Sequence, residues 1–371
     1  MKQIPVNSPL ITEDDISAVE KSLRDGWISG DSPVVSLFES EFSRNCNRRF
    51  GVSVTNGTSA IELLIHALGI TQGDEVILPS FAIISCVSQI LRCGATPVFV
   101  DSDETTWNMD VAKVEQLVTS RTKAILVVHT YGLPTDVDIL SRIASRHNLL
   151  LIEDAAEAHG LLYKGRKCGS FGVASTFSFY ANKNITTGEG GMILTDDELL
   201  FKKLCYFRNL TFNPEQRFVH EDLGWNLRMS SLQCALGSSQ LTRLDKIVSR
   251  RREIGQFYTD AFSNLSDVRL PLTANLNGLN DFWVYGIVLA GRFQFKRQEI
   301  VESLSRVGIG TRPFFWPLHL QPVLSKYGFS TQPKLPVAED LGMNGFYIPN
   351  GLGMSDVDIE YVADQIRVAF K

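Results

Sequence analysis

The chain has 371 residues, of which 44% are hydrophobic and 21% are charged, and its formal net charge is −5 at neutral pH. This balance excludes an intrinsically disordered chain, which needs fewer apolar residues and a larger charge imbalance. It also argues against a protein that binds nucleic acid through a generally basic surface. The length allows about two domains.

The N-terminal segment and the cysteines indicate a cytoplasmic protein. Met1–Leu10 has no charged head followed by an apolar run, so no signal peptide is predicted. The apolar stretches are far shorter than the roughly 18 residues that a membrane span needs. The six cysteines form no C-x-x-C pair, and we expect them to be buried thiols in a reducing compartment. No association with a membrane is expected.

The first half of the chain alternates predicted strands and helices. A leading helix is predicted over Thr12–Arg24, with Thr12 as its N-cap and Ile16, Val19 and Leu23 on one face. The predicted strands are Gly51–Thr55, Glu75–Pro79, Thr96–Val100, Lys123–Val128 and Leu149–Asp154. The intervening helices are predicted at Ser59–Leu68, Ile83–Arg92, Val111–Val118 and Val137–His147. Because several strands are apolar almost throughout, we expect an α/β fold whose mainly parallel sheet is covered on both faces.

The pattern changes after Asp197. A long helical region is predicted from Met229 to Phe262, with an interruption near Leu244. The tail is predicted to contain strands at Phe282–Leu289 and Gly310–Arg312 and helices at Arg297–Val307 and Asp356–Phe370. We therefore divide the chain near residue 245, into a large domain of residues 1–245 with an N-terminal arm and a small C-terminal α/β domain of residues 246–371.

Polar groups that follow strands are candidates for a ligand site, because open parallel sheets bind ligands at the carboxyl ends of their strands. The run Asn56-Gly57-Thr58-Ser59 follows a strand and opens a helix, so its backbone N–H groups suit a phosphate. An ordinary N-cap explains the same run. The dinucleotide and P-loop glycine patterns do not occur.

Acidic residues also follow two of the predicted strands. The strand that ends at Asp154 continues into a small-residue run with Glu157 and His159, so a carboxylate can point into the cleft. Asp154 and His159, joined by His129, suggest a metal site, but their spacing matches no compact ligand pattern. Asp101 and Asp103 resemble a metal-binding pair, for which a solvated turn is the simpler explanation. No metal is therefore expected.

The run from Ser175 to Gly191 contains a single lysine, Lys183, between a hydroxyl-rich and aromatic-rich strand and a glycine-rich turn. A lysine in a partly apolar pocket has a lowered pKa, which suits Schiff-base chemistry. A surface lysine in a loop is the alternative. Three glycines within four residues argue against it, since they indicate tight backbone packing.

These motifs together resemble a known family. Asp154 in an E-D-A-A-E-A-H-G run and Lys183 in a T-F-S-F-x-x-N-K-x-I-T-T-G-E-G-G run resemble the nucleotide-sugar aminotransferases of the DegT/DnrJ/EryC/StrS type, which depend on pyridoxal phosphate (PLP). The resemblance covers nearly the whole chain and includes G-W-I-S-G at 26–30 and G-W-N-L-R-M at 224–229. It implies the aspartate aminotransferase-like fold, the PLP-dependent transferase type I fold.

The resemblance also implies roles for individual residues. Lys183 would carry PLP covalently and shuttle the substrate proton, and Asp154 would pair with the pyridine nitrogen, which lets the ring act as an electron sink. Glu157 would contact the ring hydroxyl, and Phe81 would stack on the ring. The phosphate would be held by Gly57, Thr58 and Ser178, and by Asn226 of the neighbouring subunit, so a homodimer with shared active sites is implied.

Four further residues are candidate substrate contacts: Trp27, Ser29, Arg228 and His319. Arg228 is the candidate for the carboxylate of the amino donor, L-glutamate. The segment T-R-P-F-F-W-P-L-H at 311–319 is similar to the subgroup that aminates GDP-4-keto-6-deoxymannose for surface polysaccharide or O-antigen biosynthesis. UDP- and dTDP-linked keto sugars stay open as substrates. A PLP-dependent sugar dehydratase, which carries His in place of the lysine, and a noncatalytic sensor are the remaining alternatives.

Overall fold

The computed structural model describes residues 2–213, 215–329 and 333–371. The α-helices in these residues are α1 (Glu13–Arg24), α2 (Pro33–Asn45), α3 (Gly57–Ala67), α4 (Ile84–Arg92), α5 (Val137–His147), α6 (Glu198–Arg208), α7 (Ser231–Leu241), α8 (Leu244–Phe262), α9 (Arg297–Arg306), α10 (Pro336–Asn344) and α11 (Asp356–Ala369). Most of them begin where the sequence supplies a cap. Thr12 forms a capping box at α1, and the Asn56 and Asp136 side chains accept N–H bonds at the starts of α3 and α5.

The strands of the first half are β1 (Phe50–Val54), β2 (Glu75–Pro79), β3 (Thr96–Val100), β4 (Thr122–Val128), β5 (Leu150–Asp154), β6 (Leu162–Tyr163), β7 (Arg166–Lys167), β8 (Ala174–Ser178) and β9 (Gly191–Thr195). Seven of them form one sheet in the order β1-β9-β8-β5-β4-β2-β3. Only β9 runs antiparallel to its neighbours in that sheet, so the sheet is mainly parallel, as predicted.

The two faces of this sheet bury separate apolar clusters. Residues of alternating position along each strand go to opposite sides, so that Leu151 lies in one cluster and Ile152 in the other. Helices cover both clusters, which explains why these strands are apolar almost throughout. One prediction was wrong here. The expected helix Val111–Val118 is two short 3₁₀ turns, Val111–Lys113 and Glu115–Leu117.

The strands of the second half are β10 (Val268–Arg269), β11 (Ala274–Asn275), β12 (Gly278–Leu279), β13 (Tyr285–Leu289), β14 (Arg312–Pro313) and β15 (Gly345–Ile348). Four of them form an antiparallel sheet in the order β10-β13-β15-β14, packed with α8, α9 and α11 around a third cluster. The first turns of α8 pack in the large-domain cluster through Leu244 and Val248, and its later turns pack in the third cluster. Helix α8 thus takes part in both clusters, and the division near residue 245 stays a prediction.

The N-terminal arm belongs with the small domain, although the sequence assigned it to the large one. Ile4 is buried in the third cluster, and its N–H donates to Gly308 O while its carbonyl accepts from Gly310 N–H. Throughout the described ranges, no helix is both long enough and apolar enough to cross a bilayer.

Candidate active site

A cavity of about 640 Å³ opens at the carboxyl ends of the parallel strands, between the two domains. Its wall combines the turn after β1, the end of β5, the segment after β8, and Arg312 and Tyr347 of the small domain. The volume lies within the range of pockets that bind small molecules. Six of the residues predicted for the site line it: Gly57, Thr58, Asp154, Glu157, Ser178 and Lys183.

The turn after β1 forms an anion cradle at the start of α3. The Asn56 side chain accepts the Ser59 N–H at 2.8 Å, and the Thr58 hydroxyl lies 2.8 Å from that of Ser85. A Cβ on Gly57 would lie 2.8 Å from Cβ of Ser178, so only glycine permits this approach. The first N–H groups of a helix lack partners within it, and the helix dipole favours negative charge there. The cradle therefore fits a phosphate.

Lys183 is buried in the cavity wall, with 10% of its side chain exposed. Its Nζ lies 3.7 Å from the ring centroid of Trp283 and 4.0 Å from Oε1 of Glu157. Burial lowers the pKa of Lys183, and the nearby carboxyl groups of Glu157 and Asp154 oppose this shift. The alternative of a solvated surface lysine is thereby excluded.

The loop that carries Lys183 is fixed from behind by His159. The His159 Nδ1 accepts the N–H of Ile185 at 3.3 Å, and the His159 carbonyl accepts the side-chain amide of Asn184 at 3.1 Å. Burial among aromatic rings lowers the pKa of His159 to about 3, so the ring is neutral at physiological pH. His159 therefore has a packing and positioning role rather than that of a metal ligand.

Two carboxyl groups face the same cavity as Lys183. Asp154 accepts the N–H of Ala156 at 3.0 Å and the thiol of Cys86 at 3.3 Å, yet burial raises its pKa. Burial also raises the pKa of Glu157 to about 7, and this side chain accepts the N–H of Tyr131 at 2.8 Å. A cationic ring nitrogen next to Asp154 would favour its charged form. The amine, the two carboxyl groups and the anion cradle together fit PLP.

A buried group of possible metal ligands lies on the other face of the sheet, where His129, Glu153 and Cys168 place their ligand atoms within 4.8 Å of one another. Protein groups already satisfy His129 and Glu153. Glu153 accepts from His129 Nε2 at 2.7 Å and from the N–H groups of Gly169 and Phe171, and His129 Nδ1 accepts the N–H of Thr135. The cluster therefore fits a structural hydrogen-bond network, not an ion site.

Two predicted contacts are wrong. Phe81 is fully buried and is not a lining residue, because Tyr131, Phe314 and Phe315 surround its ring. Two positions further on, Ile83 lines the cavity instead. His319 is also fully buried and away from the lining, with Nδ1 2.6 Å from the Ser80 hydroxyl. Both rings are held in the packing between the domains.

The expected solvated turn is also wrong for Asp101. Its side chain is only 4% exposed and accepts the N–H groups of Ala338 and Val337, at the start of α10. Asp101 thus fastens the small domain to the sheet. Asp103 is nearer the surface and caps its own turn by accepting the N–H of Thr106 at 2.7 Å.

The other predicted residues lie outside the cavity of their own chain. Trp27, Ser29 and Asn226 are exposed, and Arg228 donates to the side chain of Asn209. The backbones of Asn226 and Asn209 form an isolated antiparallel β-bridge, and the Ser29 carbonyl accepts the N–H of Ser231. Such a position fits residues that reach another subunit's site, so their predicted roles stay predictions.

The cavity also contains residues that the sequence did not single out. These are chiefly Tyr180, Asn182, Trp283, Arg312, Phe315 and Tyr347. Arg312 and Phe315 belong to the 311–319 motif, and Asn182 directly precedes the lysine, so motif membership was an available signal for these three. Trp283 lies just before β13 and Tyr347 lies in β15, and no local pattern marks them.

Comparisons with known proteins give relatives over the full length. GDP-perosamine synthase of Escherichia coli O157:H7 is 39% identical over 368 residues, which cover 99% of this chain and 98% of that protein. Among solved structures, Helicobacter pylori PseC, an aminotransferase involved in the biosynthesis of pseudoaminic acid, has a TM-score of 0.93 at 26% identity and covers 100% of this chain and 99% of that one.

A third relative represents a different reaction class. The E. coli GDP-4-keto-6-deoxy-D-mannose-3-dehydratase with bound hydrated PLP has a TM-score of 0.91 at 26% identity, with 99% of each chain covered. These relatives confirm the predicted fold class and the PLP cofactor. The model of the DegT/DnrJ/EryC1/StrS aminotransferase family matches residues 9–367, and the chain belongs to that family of enzymes.

Proposed function

We propose that this enzyme transfers an amino group from L-glutamate to a 4-keto-6-deoxy nucleotide sugar by a ping-pong mechanism. GDP-4-keto-6-deoxymannose is the proposed acceptor and GDP-perosamine the product, destined for surface polysaccharide or O-antigen. The observation that carries the proposal is the meeting of Lys183 with Asp154 and Glu157 in one cavity. The 39% identity to a GDP-perosamine synthase over nearly the full length supports the acceptor.

Each of these residues has a separate proposed role in holding the cofactor. The bound cofactor supplies an electron sink for the amino acid's Cα. The N–H groups at the start of α3, with Thr58 and Ser178, would hold its phosphate, Asp154 would pair with its pyridine nitrogen, and Glu157 would contact its ring hydroxyl. The carboxylate of Asp154 would favour the protonated form of that nitrogen.

Lys183 would carry the proton between the amino acid's Cα and the bound cofactor. A general base must be neutral before it takes a proton, and burial lowers the pKa of Lys183 in that direction. The Trp283 ring and the His159-bound loop hold the Nζ in place while the proton moves. The same lysine opposes the sugar dehydratase alternative, since those enzymes carry His at this position.

A homodimer would complete the site. Five apolar side chains on α1, α2 and the turn between them are between 42% and 58% exposed: Ile16, Leu23, Trp27, Ile28 and Leu37. Exposed apolar patches mark interaction surfaces. This patch continues into Gly30, whose backbone lies against the Arg228 side chain, two residues from Asn226. We propose that Asn226 contacts the partner's phosphate and Arg228 the donor's carboxylate, in a cytoplasmic dimer.

A complementation experiment tests the shared site. Lys183→Ala and Asn226→Ala proteins are each purified as inactive dimers and then mixed under conditions of subunit exchange. If Asn226 serves the partner, every mixed dimer contains one intact site, and activity returns. If activity stays absent although mass spectrometry shows mixed dimers, the shared site is wrong.

The substrate is tested with a panel of keto-sugar nucleotides linked to GDP, UDP and dTDP. The enzyme is first converted to its pyridoxamine form with glutamate, and the loss of that absorption band is followed as each sugar is added. We expect GDP-4-keto-6-deoxymannose to react fastest. A faster UDP- or dTDP-linked sugar would replace the acceptor but leave the enzyme class intact, whereas no conversion by glutamate would favour a noncatalytic sensor.

A further inference from the structure

A second, smaller cavity of about 100 Å³ adjoins the active site. Five residues line both cavities: Tyr180, Asn182, Trp283, Arg312 and Tyr347. The rest of the wall comes from the N-terminal arm, from α8 and from the end of β15. Because Trp283 also contacts the amine of Lys183, the small cavity lies one side chain away from the reacting group.

The distinctive residue of this second cavity is Arg251 on α8, which is only 2% exposed. Its guanidinium donates to the Asn350 carbonyl and, at 3.3 Å, to Oδ1 of Asn7, and its buried Nε has no partner. Within the described residues, no carboxylate pairs with it. Its neighbours differ, since Arg250 pairs with Asp356 and Arg252 with Asp281.

A buried cation without a counter-charge is costly, because neutral acceptors replace only part of its hydration. Burial lowers the pKa of Arg251 to about 9, so the guanidinium stays charged at neutral pH. Arg312, which lines the same cavity, adds a second cation at the side shared with the active site. The small cavity is therefore a site for an anion.

The size of the cavity limits the anion. At about 100 Å³, against about 640 Å³ for the active-site cavity, it suits a small anionic group such as a carboxylate rather than a nucleotide diphosphate. A planar guanidinium is also matched to a carboxylate, which it can bind through two parallel hydrogen bonds. The position beside the Lys183 amine suits the distal end of an amino acid whose α-carbon lies at the reacting centre.

We propose that this cavity is the subsite for the side-chain carboxylate of the dicarboxylic amino donor, with Arg251 as its buried counter-charge. The inference rests on the proposed transamination from glutamate and deepens it. It explains a preference for a dicarboxylic amino acid as the amino donor, since an amino acid with a neutral side chain would leave Arg251 without a counter-charge. It leaves the donor's α-carboxylate to Arg228.

The first test uses glutarate, a dicarboxylate that cannot react because it has no amino group. Its binding to the PLP-loaded enzyme is measured by titration calorimetry for wild type, for Arg251→Met and for the control Arg250→Gln on the same helix. We expect Arg251→Met to weaken binding roughly 10- to 100-fold, the effect of losing a charged hydrogen bond, and Arg250→Gln to bind as wild type does. Equal affinities in all three proteins would overturn the proposal.

A second variant separates a binding role from a purely structural one and applies even if Arg251→Met does not fold. Asn7→Asp places a carboxylate beside Arg251, where the Asn7 oxygen already accepts from it. We expect a higher melting temperature, because the buried cation gains a partner, together with at least tenfold weaker glutarate binding. A higher melting temperature with unchanged glutarate affinity would show that Arg251 is only structural.

Donor preference gives a third readout. The rate of pyridoxamine formation is compared for glutamate and alanine, and the preference for glutamate should fall at least tenfold in Asn7→Asp. In the control Arg250→Gln this preference should equal that of wild type. Glutarate binding does not depend on the sugar, so the sugar panel can fail while the donor subsite stands, and the two proposals fail separately.

Discussion

Glu153 and Asp154 are adjacent acidic residues at the end of the same buried strand, β5, but their surroundings differ. Their side chains project to opposite faces of the sheet. Glu153 accepts hydrogen bonds from His129, Gly169 and Phe171 on one face. Asp154 faces the active-site cavity and accepts from Ala156 and Cys86.

The difference separates a structural acid from a functional one. Three donors, two of them backbone N–H groups, satisfy Glu153, so its charge holds the turn after β7 in place. Asp154 keeps capacity for another donor at the point where the cavity begins, next to Lys183. Both carboxyl groups are buried, so burial alone does not distinguish the two acids. They differ in whether the carboxylate can still accept a further hydrogen bond.

The largest effect on the cavity side is expected from Lys183→Ala. Without the amine no group carries the proton, so turnover should be abolished while PLP remains bound noncovalently. Steady-state kinetics measure the turnover, and the cofactor content after dialysis shows whether PLP is still bound. Lys202→Ala, an exposed lysine paired with Glu198 on α6, is the matched control and should be fully active. Substantial turnover by Lys183→Ala would contradict the proposed role.

Asp154→Asn should lower kcat/KM about 10²- to 10³-fold, because an amide no longer stabilises a protonated ring nitrogen and similar preorganised charges contribute that much. Folding should change little, since the amide fills the same space. Kinetics corrected for the folded fraction by circular dichroism provide the measurement. If activity per folded molecule is unchanged, Asp154 does not act on the cofactor.

Glu153→Gln should show the reverse behaviour. Loss of the charge weakens three hydrogen bonds in a buried network, and we expect the free energy of unfolding to fall by about 2–4 kcal/mol. Activity per folded molecule should stay within a few-fold of wild type. Urea titration gives the first quantity and kinetics the second. A catalytic loss as large as that of Asp154→Asn would remove the distinction between the two acids.

The effect of Glu157→Gln depends on pH. The folded-state pKa of Glu157 is about 7, raised by burial from 4.5. Its contribution to stability is therefore full below pH 4.5 and is lost as the pH rises through 7, by up to about 3 kcal/mol. The variant should lack this decline. Urea titrations of cofactor-free protein between pH 5 and 8 test it, and parallel curves for both proteins would contradict the assignment.

Local patterns predicted the fold well where one element decides its own shape. The bounds of β2, β3 and α5 agree with the prediction, because turn residues and caps mark them. The segment 111–118 misled because its valines have helical spacing, whereas the chain closes only two 3₁₀ turns. Short apolar periodicity does not establish a helix without a sustained hydrogen-bond ladder.

The candidate site was predictable for residues at strand ends and not for residues whose surroundings come from another domain. Asp154 ends one strand of the central sheet and Lys183 follows another, so topology brings them together. Phe81 also follows a strand, but Phe314 and Phe315 cover it. Arg251 lies within three consecutive arginines, and only its helical spacing from Ile247 and Ile254 indicates that it faces inward.

The N-terminal arm has a consequence for how the protein reaches its native state. Its backbone pairs with the segment around Ile309, and Asn7 lies beside both Arg251 and the Ala181 carbonyl. These contacts join residues far apart in sequence, and such contacts form slowly because a long loop must close first. The large domain can thus collapse around its sheet during synthesis, but the arm must wait for the small domain. Docking of the arm would then be a late folding step, and it would finish the second cavity.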